Sequence, residues 1–216
     1  MAVDLRLPAR FISFEGIDGC GKSTLLEKLH VLMDQVGIPF VQTREPGGTE
    51  IGEQIREVLL DPRNKSMDTW TEVLLYSASR AQHAIEAIQP ALQRGVWVLA
   101  DRFSDATLAY QGYGRGLDVE HLRRLQDWAT RGLWPHHTIL LDCDVDVAFS
   151  RILGRNANRD RMEQEKRSFH QRVRDGYLEL AKSEPLRFLV LNANQTLERV
   201  AADFRELFWK PLTGTG

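Results

Sequence analysis

The segment Gly16-Ile17-Asp18-Gly19-Cys20-Gly21-Lys22-Ser23 satisfies G-x-x-x-x-G-K-[ST], the spacing of a loop that cradles phosphates. An apolar run, Phe11 to Phe14, leads in, and a helical pattern, Leu25, Leu26, Leu29, Leu32, Met33, leads out. The loop therefore opens a helix, where free N–H groups and the helix dipole favour anions. Its glycines allow positive φ and close approach of backbone to a phosphate. Lys22 is placed to reach the outer phosphates of a nucleotide, and the Ser23 hydroxyl to ligate Mg²⁺. A glycine-rich turn that happens to carry a lysine would need neither flanking element.

In an open parallel sheet the carboxyl ends of the strands deliver residues to one crevice. The second strand pattern ends in Thr43-Arg44-Glu45-Pro46-Gly47-Gly48-Thr49, a turn-rich stretch that places two opposite charges rigidly; an ordinary loop with a surface ion pair fits those letters equally well. The third ends in Asp101-Arg102-Phe103. An aspartate there suits the Mg²⁺ side of a phosphate loop, through water or Ser23, and Arg102 suits a second phosphate. Thr107, Tyr110 and Gln111 share one face if helical, offering a hydroxyl, an aromatic edge and an amide to a base. Tyr76 and Arg80, one turn apart, could stack on a base and donate to it, although a half-buried tyrosine with a snorkelling arginine is the simpler reading of that pair alone. Arg155, Arg159 and Arg161 lie within or beside the polar stretch Gly154–Glu165, either a solvated loop or a lid. The phosphate loop holds no basic residue but Lys22. An extra arginine, worth roughly 10³ to 10⁵ in phosphoryl-transfer rate, must then come from the lid.

The elements that position these residues follow from periodicity. Strand patterns at Arg10–Glu15, Pro39–Thr43, Val96–Asp101, His137–Asp142 and Arg187–Leu191 alternate with helical ones near Lys22–Gln35, Glu50–Leu60, Thr69–Gln93, Asp118–Arg131, Val145–Leu153, Met162–Lys182 and Leu197–Phe208. Runs such as Val96–Ala100 and Thr138–Leu141 are continuously apolar, as parallel strands buried on both faces are. The rhythm predicts an α/β protein: a three-layer α/β/α fold with one parallel five-stranded sheet. One domain is expected over residues 1–216, with a loose leader at 1–9, a short lid at 154–165 and a loose tail at 211–216. Among 216 residues, 43% are hydrophobic and 27% charged, with a formal charge of -2, which gives no reason to expect a nucleic-acid partner. No apolar run is long enough to span a membrane. Two cysteines, Cys20 and Cys143, suit a reducing compartment, and with no secretory run near Met1 a cytoplasmic location is expected. Cys20, at a helix N-terminus, reads either as a reactive thiol or, more simply, as a small loop filler.

Taken together, Phe14-Glu15-Gly16-Ile17-Asp18-Gly19-Cys20-Gly21-Lys22-Ser23-Thr24, Thr43-Arg44-Glu45-Pro46-Gly47-Gly48, Asp101-Arg102-Phe103 and Ala109-Tyr110-Gln111-Gly112 resemble the bacterial thymidylate kinases, over nearly the whole chain from Phe11 to about Phe208. The first motif is shared by many nucleotide kinases; the combination is specific. The resemblance implies a P-loop nucleoside monophosphate kinase fold and transfer of a phosphoryl group from ATP to dTMP with Mg²⁺. It implies that residues Gly16 to Thr24, with Arg151, hold ATP, and that Ser23 and Asp101 hold Mg²⁺. It implies catalytic roles for Lys22, Arg102, Asp18 and a lid arginine, Arg155 or a neighbour. Arg102, Arg44 and Arg56 would surround the dTMP phosphate, with Glu45 alongside, and Asp18 would face the sugar 3′-hydroxyl. Tyr76 would stack on thymine, Arg80 would donate to O4, and Thr107 and Gln111 would meet the base edge. Tyr110 would crowd the sugar C2′, and Glu163 matches a lid acid near the substrate. The family usually has phenylalanine where Tyr76 stands, and its members are typically homodimers. Another nucleoside or nucleotide kinase, or a nucleotide-driven switch or ATPase, are the competing readings; the latter expects hydrolysis without an acceptor.

Overall fold

The computed structural model describes residues 9–154 and 160–214. Five parallel strands form one sheet: β1 (Phe11–Glu15), β2 (Phe40–Arg44), β3 (Trp97–Asp101), β4 (His137–Asp142) and β5 (Phe188–Asn192), in the order β2-β3-β1-β4-β5. The three central strands, β1, β3 and β4, are buried along nearly their whole length, whereas β2 and β5 keep exposed positions and are the edges. Alternate residues serve opposite layers. Ile12, Phe14, Trp97 and Leu99 pack in the larger cluster with Leu25, Leu29, Phe204 and Trp209, while Phe11, Val98 and Ala100 pack with Ala84, Ile88, Ala91 and Phe103.

The helices are α1 (Lys22–Val36), α2 (Glu50–Leu60), α3 (Thr69–His83), α4 (Gln89–Gln93), α5 (Ser104–Thr107), α6 (Val119–Thr130), α7 (Val145–Leu153), α8 (Arg167–Ser183), α9 (Leu197–Phe204) and α10 (Lys210–Thr213). The starts of α2, α3 and α6 are capped by short polar side chains: Thr49 accepts from the Gly52 amide, Asp68 from Trp70 and Thr71, and Asp118 from His121. Expected boundaries mostly hold within a residue or two, with four differences. The pattern over Thr69–Gln93 is interrupted by a π-helical turn, Ala84–Ile88, in which Gln89 N–H reaches Ala84 O; Pro90 follows, and its ring would crowd the carbonyl four residues back in an unbroken α-helix. The same device recurs before Pro211, with a π-turn at Arg205–Trp209. The chain then stays helical through Thr213, so Pro211–Thr213 are not a loose tail. Residues 108–114 are also π-helical, directly after α5.

The fourth difference bears on function. The helix expected from Met162 begins at Arg167. Asp160 Oδ1 accepts from the Met162 and Glu163 amides at 2.8 and 2.9 Å, closing a turn in place of a helix start. The Arg161 amide donates to Leu60 O, which ties that turn to the end of α2.

Candidate active site

A cleft of about 480 Å³ opens at the carboxyl ends of β1, β2 and β3. That size suits a small-molecule ligand. Its floor is the loop between β1 and α1. Gly16 and Gly19 have φ of 137° and 81°, and a Cβ there would stand 2.6 Å from Leu141 O and 2.4 Å from Ala148 O, so only glycine lets the loop lie this close to β4 and α7. Lys22 is buried and donates to Gly16 O at 3.3 Å and Ile17 O at 3.4 Å. Ser23 Oγ donates to Asp101 Oδ2 at 3.4 Å across the β1–β3 pair.

Arg102 stands at the end of β3 with φ of 74°, the left-handed region that an arginine occupies only when its surroundings hold it. Its guanidinium turns toward the phosphate loop. It donates to Gly16 O (2.9 Å), Asp18 Oδ1 (2.7 Å), the Tyr110 hydroxyl (2.9 Å) and the Tyr177 hydroxyl (3.2 Å). Tyr110 in turn donates to Asp18 Oδ2 at 2.9 Å. Burial alone would raise the Asp18 carboxyl, but Arg102 and then Lys22 outweigh it and hold the group well below the usual carboxylate range. Lys22 and Arg102 thus converge on one carbonyl, that of Gly16.

The second wall is built by the Thr43–Thr49 segment and α3. Glu45 is buried; its Oε2 accepts from Arg80 Nε at 2.7 Å, and its Oε1 shares a hydrogen bond with His83 Nδ1 at 2.9 Å. His83 Nε2 bonds Thr43 Oγ1 at 2.6 Å. The Glu45–Pro46 peptide is cis, and Gly48 packs so tightly that a Cβ there would meet His83 Nε2 at 2.7 Å. Arg80, 1% exposed, also donates to Thr107 Oγ1 (2.8 Å), Gln126 Oε1 (2.5 Å) and Phe103 O (3.1 Å). These bonds use four of the five guanidinium hydrogens on a side chain that lines the cleft. Gln111 Nε2 donates to Glu72 Oε1 at 2.8 Å. Burial, reinforced by Glu72, pushes the Tyr76 hydroxyl up out of its ordinary range.

Most of the expected site residues meet here: Asp18, Gly19, Gly21, Lys22, Ser23, Thr24, Arg44, Glu45, Arg56, Tyr76, Arg80, Asp101, Arg102, Thr107, Tyr110, Gln111 and Glu163 all line the cleft. Arg44 pairs with Glu53 at 2.8 Å, and Arg56 donates to Pro46 O at 2.8 Å. Gly16, Ile17 and Cys20 lie behind the lining. Cys20 is 2% exposed, which leaves its thiol with no open path for a reagent. Arg151 is off the cleft too, donating to Cys20 O at 3.4 Å and Ala193 O at 3.1 Å, between the phosphate loop and the end of β5. Arg155 and Arg159 fall outside the described residues. Arg161 is not a waiting lid cation. It is buried, donating to Glu72 Oε2 at 2.6 Å and Leu59 O at 2.7 Å, and so anchors residues 160–165 to α2 and α3.

Sequence reasoning missed the residues that hold the cleft from behind. Tyr177, His83 and Glu72 carry no local signal. Glu15 did carry one, a lone carboxylate ending a strand whose other residues are uncharged.

A lysine-bearing phosphate loop on the central strand of such a sheet is the architecture of P-loop phosphotransferases. A guanidinium turned onto the same loop from the neighbouring strand places this one with the nucleoside monophosphate kinases, whose acceptor is itself a phosphate. A sequence model of the family described as Thymidylate kinase matches residues 14–204. Proteins described as thymidylate kinase are 50% identical over 197 residues in Symbiobacterium thermophilum (91% of each chain), 49% in Geotalea uraniireducens (89% of this chain, 92% of the relative) and 47% over 201 residues in Limosilactobacillus fermentum (92% and 94%). The chain belongs to the thymidylate kinase family.

Proposed function

We propose that this chain transfers the γ-phosphoryl group of ATP to dTMP, giving ADP and dTDP, with the roles below. The observation that carries the reading is the meeting of Lys22 and Arg102 on Gly16 O, at 3.3 and 2.9 Å: two cations flank one carbonyl where two phosphates could face each other. The acceptor oxygen is already anionic, so no strong base is needed; positioning and charge neutralisation carry the chemistry. The loop amides and Lys22 hold the ATP phosphates. Arg102, with Arg44 and Arg56, holds the dTMP phosphate. Asp18, fixed by Arg102 and Tyr110, faces the sugar, and the Tyr110 ring, edge-on to Phe169 and Tyr177, leaves little room for a 2′-hydroxyl.

Ser23 Oγ and Asp101 Oδ2 fit Mg²⁺. They are oxygen donors, near enough to share one ion's shell, and Mg²⁺ binds through one or two protein oxygens plus phosphates and water. Bound there, it would neutralise charge on the outer ATP oxygens. Arg155 is proposed as the lid arginine at the transferred group, and Arg151 as an outer contact of the ATP loop.

The base reads against Tyr76, Arg80, Thr107 and Gln111. Discrimination between dTMP and dUMP then rests on one methyl group, worth roughly 1–3 kcal/mol in a fitted slot, so dUMP should be phosphorylated with kcat/KM about 10- to 200-fold lower. Complete rejection of dUMP in a coupled ADP assay would contradict this pocket. The same assay tests the reaction itself: ADP release must require dTMP, and equal release without acceptor would favour an ATPase.

A homodimer through α2 and α3 is proposed from their outward apolar side chains, Ile51, Val58, Trp70 and Leu74, all exposed. Sedimentation equilibrium should give twice the chain mass, and a monomer at micromolar concentration would exclude it.

A further inference from the structure

Glu15, the last residue of β1, is wholly buried and lies behind the cleft wall. Both carboxyl oxygens are used. Oε1 accepts from the Phe103 amide at 2.7 Å, and Oε2 from the Tyr177 hydroxyl at 2.7 Å. Arg102 sits between these contacts. Its own amide donates to Phe14 O at 3.1 Å, so consecutive β1 residues hold the amides of Arg102 and Phe103. That double clamp spans the one residue in the site, Arg102, with φ of 74°. A left-handed arginine costs on the order of 1–3 kcal/mol and persists only where its neighbours over-determine it. The clamp also reaches the side chain, because the Tyr177 hydroxyl that donates to Glu15 accepts from Arg102 Nη1 at 3.2 Å.

We propose that Glu15 is a positioning residue for phosphoryl transfer: through the Phe103 amide and the Tyr177 hydroxyl it fixes both the backbone and the guanidinium of Arg102, without touching substrate. This rests on the reading of Arg102 as the arginine of the acceptor phosphate. A buried carboxyl serving stability alone would need a partner, but not two that both converge on the same arginine.

The carboxyl's environment guides the choice of variant. Burial, and then Asp105 on α5, push Glu15 up to about 8, against the lowering by Arg102, Tyr177 and the Phe103 amide. Both of its hydrogen bonds are accepted by the carboxyl, so Glu15→Gln, close to it in shape, reverses the hydrogen-bond direction at one oxygen. The glutamine oxygen can still accept from Phe103, but its nitrogen presents hydrogens where Tyr177 donates. Tyr177→Phe removes that link together with the hydroxyl that accepts from Arg102 Nη1, and keeps the ring packing.

Steady-state kinetics on both variants, alone and combined with Arg102→Ala, test the proposal. Each single variant should lower kcat about 10- to 100-fold, the scale of a small misplacement of a catalytic group, with the KM for ATP changed less than about twofold. On the Arg102→Ala background each should cost nothing further, because the residue acted upon is gone. Unchanged kcat in both single variants, or losses that multiply with that of Arg102→Ala, would overturn the proposal and leave the reading of Arg102 standing. Near-normal turnover of Arg102→Ala itself would overturn both. If Glu15→Gln does not fold, Glu15→Asp, which keeps the carboxyl but shortens its reach to Phe103 and Tyr177, is measured in its place with the same two outcomes.

Discussion

Arg102→Ala is expected to lower kcat by roughly 10³-fold or more while the protein stays folded, because an arginine on the transferring phosphates is worth about 10³ to 10⁵ in rate. The side chain gives four hydrogen bonds around Gly16, Asp18, Tyr110 and Tyr177, so its loss removes both a positive charge and the group that fixes Asp18 and Tyr110 against the sugar. The cost to stability should be small. Alanine at φ of 74° is strained by about 1–2 kcal/mol, but the arginine already bears that strain. Asp18 keeps Lys22 as a neighbouring cation. Arg102→Lys should recover only part of the rate, since a lysine cannot reproduce the planar fork that meets Gly16 O and Asp18 together. Circular dichroism and single-turnover kinetics check the two halves of the expectation. A folded Arg102→Ala protein within about tenfold of the wild-type rate would be far above the loss an arginine in this role predicts.

Arg80→Ala is expected to fail in two measurable ways. In stability, it strands Glu45, which is buried and pairs with Arg80 Nε at 2.7 Å, and breaking a buried pair from one side costs about 3–5 kcal/mol. Denaturant unfolding should show that loss. In function, the hydrogen left over after the bonds to Glu45, Thr107, Gln126 and Phe103 is the one available to a base carbonyl. A hydrogen bond from a charged donor is worth about 1.5–3 kcal/mol, so the KM for dTMP should rise about 10- to 100-fold. The KM for ATP should stay near its wild-type value, because Arg80 has no contact with the phosphate loop. Equal effects on both constants would move Arg80 out of the base pocket, and an unchanged unfolding midpoint would mean Glu45 finds another partner.

Both variants show how a family motif divides its work. In Thr43-Arg44-Glu45-Pro46-Gly47-Gly48, Arg44 reaches the cleft and, among the described residues, pairs with Glu53, a half-exposed contact worth little in itself. Glu45 lines the same cleft, yet its two oxygens are taken by Arg80 and His83. Its contribution is to hold a base-side arginine in place, through contacts 35 and 38 residues away in sequence.

The sequence by itself determined whatever depends on near neighbours. The phosphate loop was legible because its glycines, Lys22 and Ser23 are contiguous and its chemistry is carried by local backbone. The sheet was legible because short apolar runs alternate with helical periodicities; which strands take the centre was not, since edge strand β5 opens on four apolar residues while central β1 is broken by Ser13. The π-turn before Pro90 had a local cause in the missing N–H, yet helical periodicity runs through it unmarked. Only the tertiary structure decided how the site is held. Glu15 and Tyr177 are 162 residues apart, and Arg161 and Glu72 are 89 apart. No spacing rule joins such pairs, because their meeting is set by which helix packs on which strand end. The same physics made an anchor of Arg161, one of three arginines in or beside the expected lid: a buried guanidinium stays with the carboxylate that offsets its desolvation, and Glu72 Oε2 accepts from it at 2.6 Å.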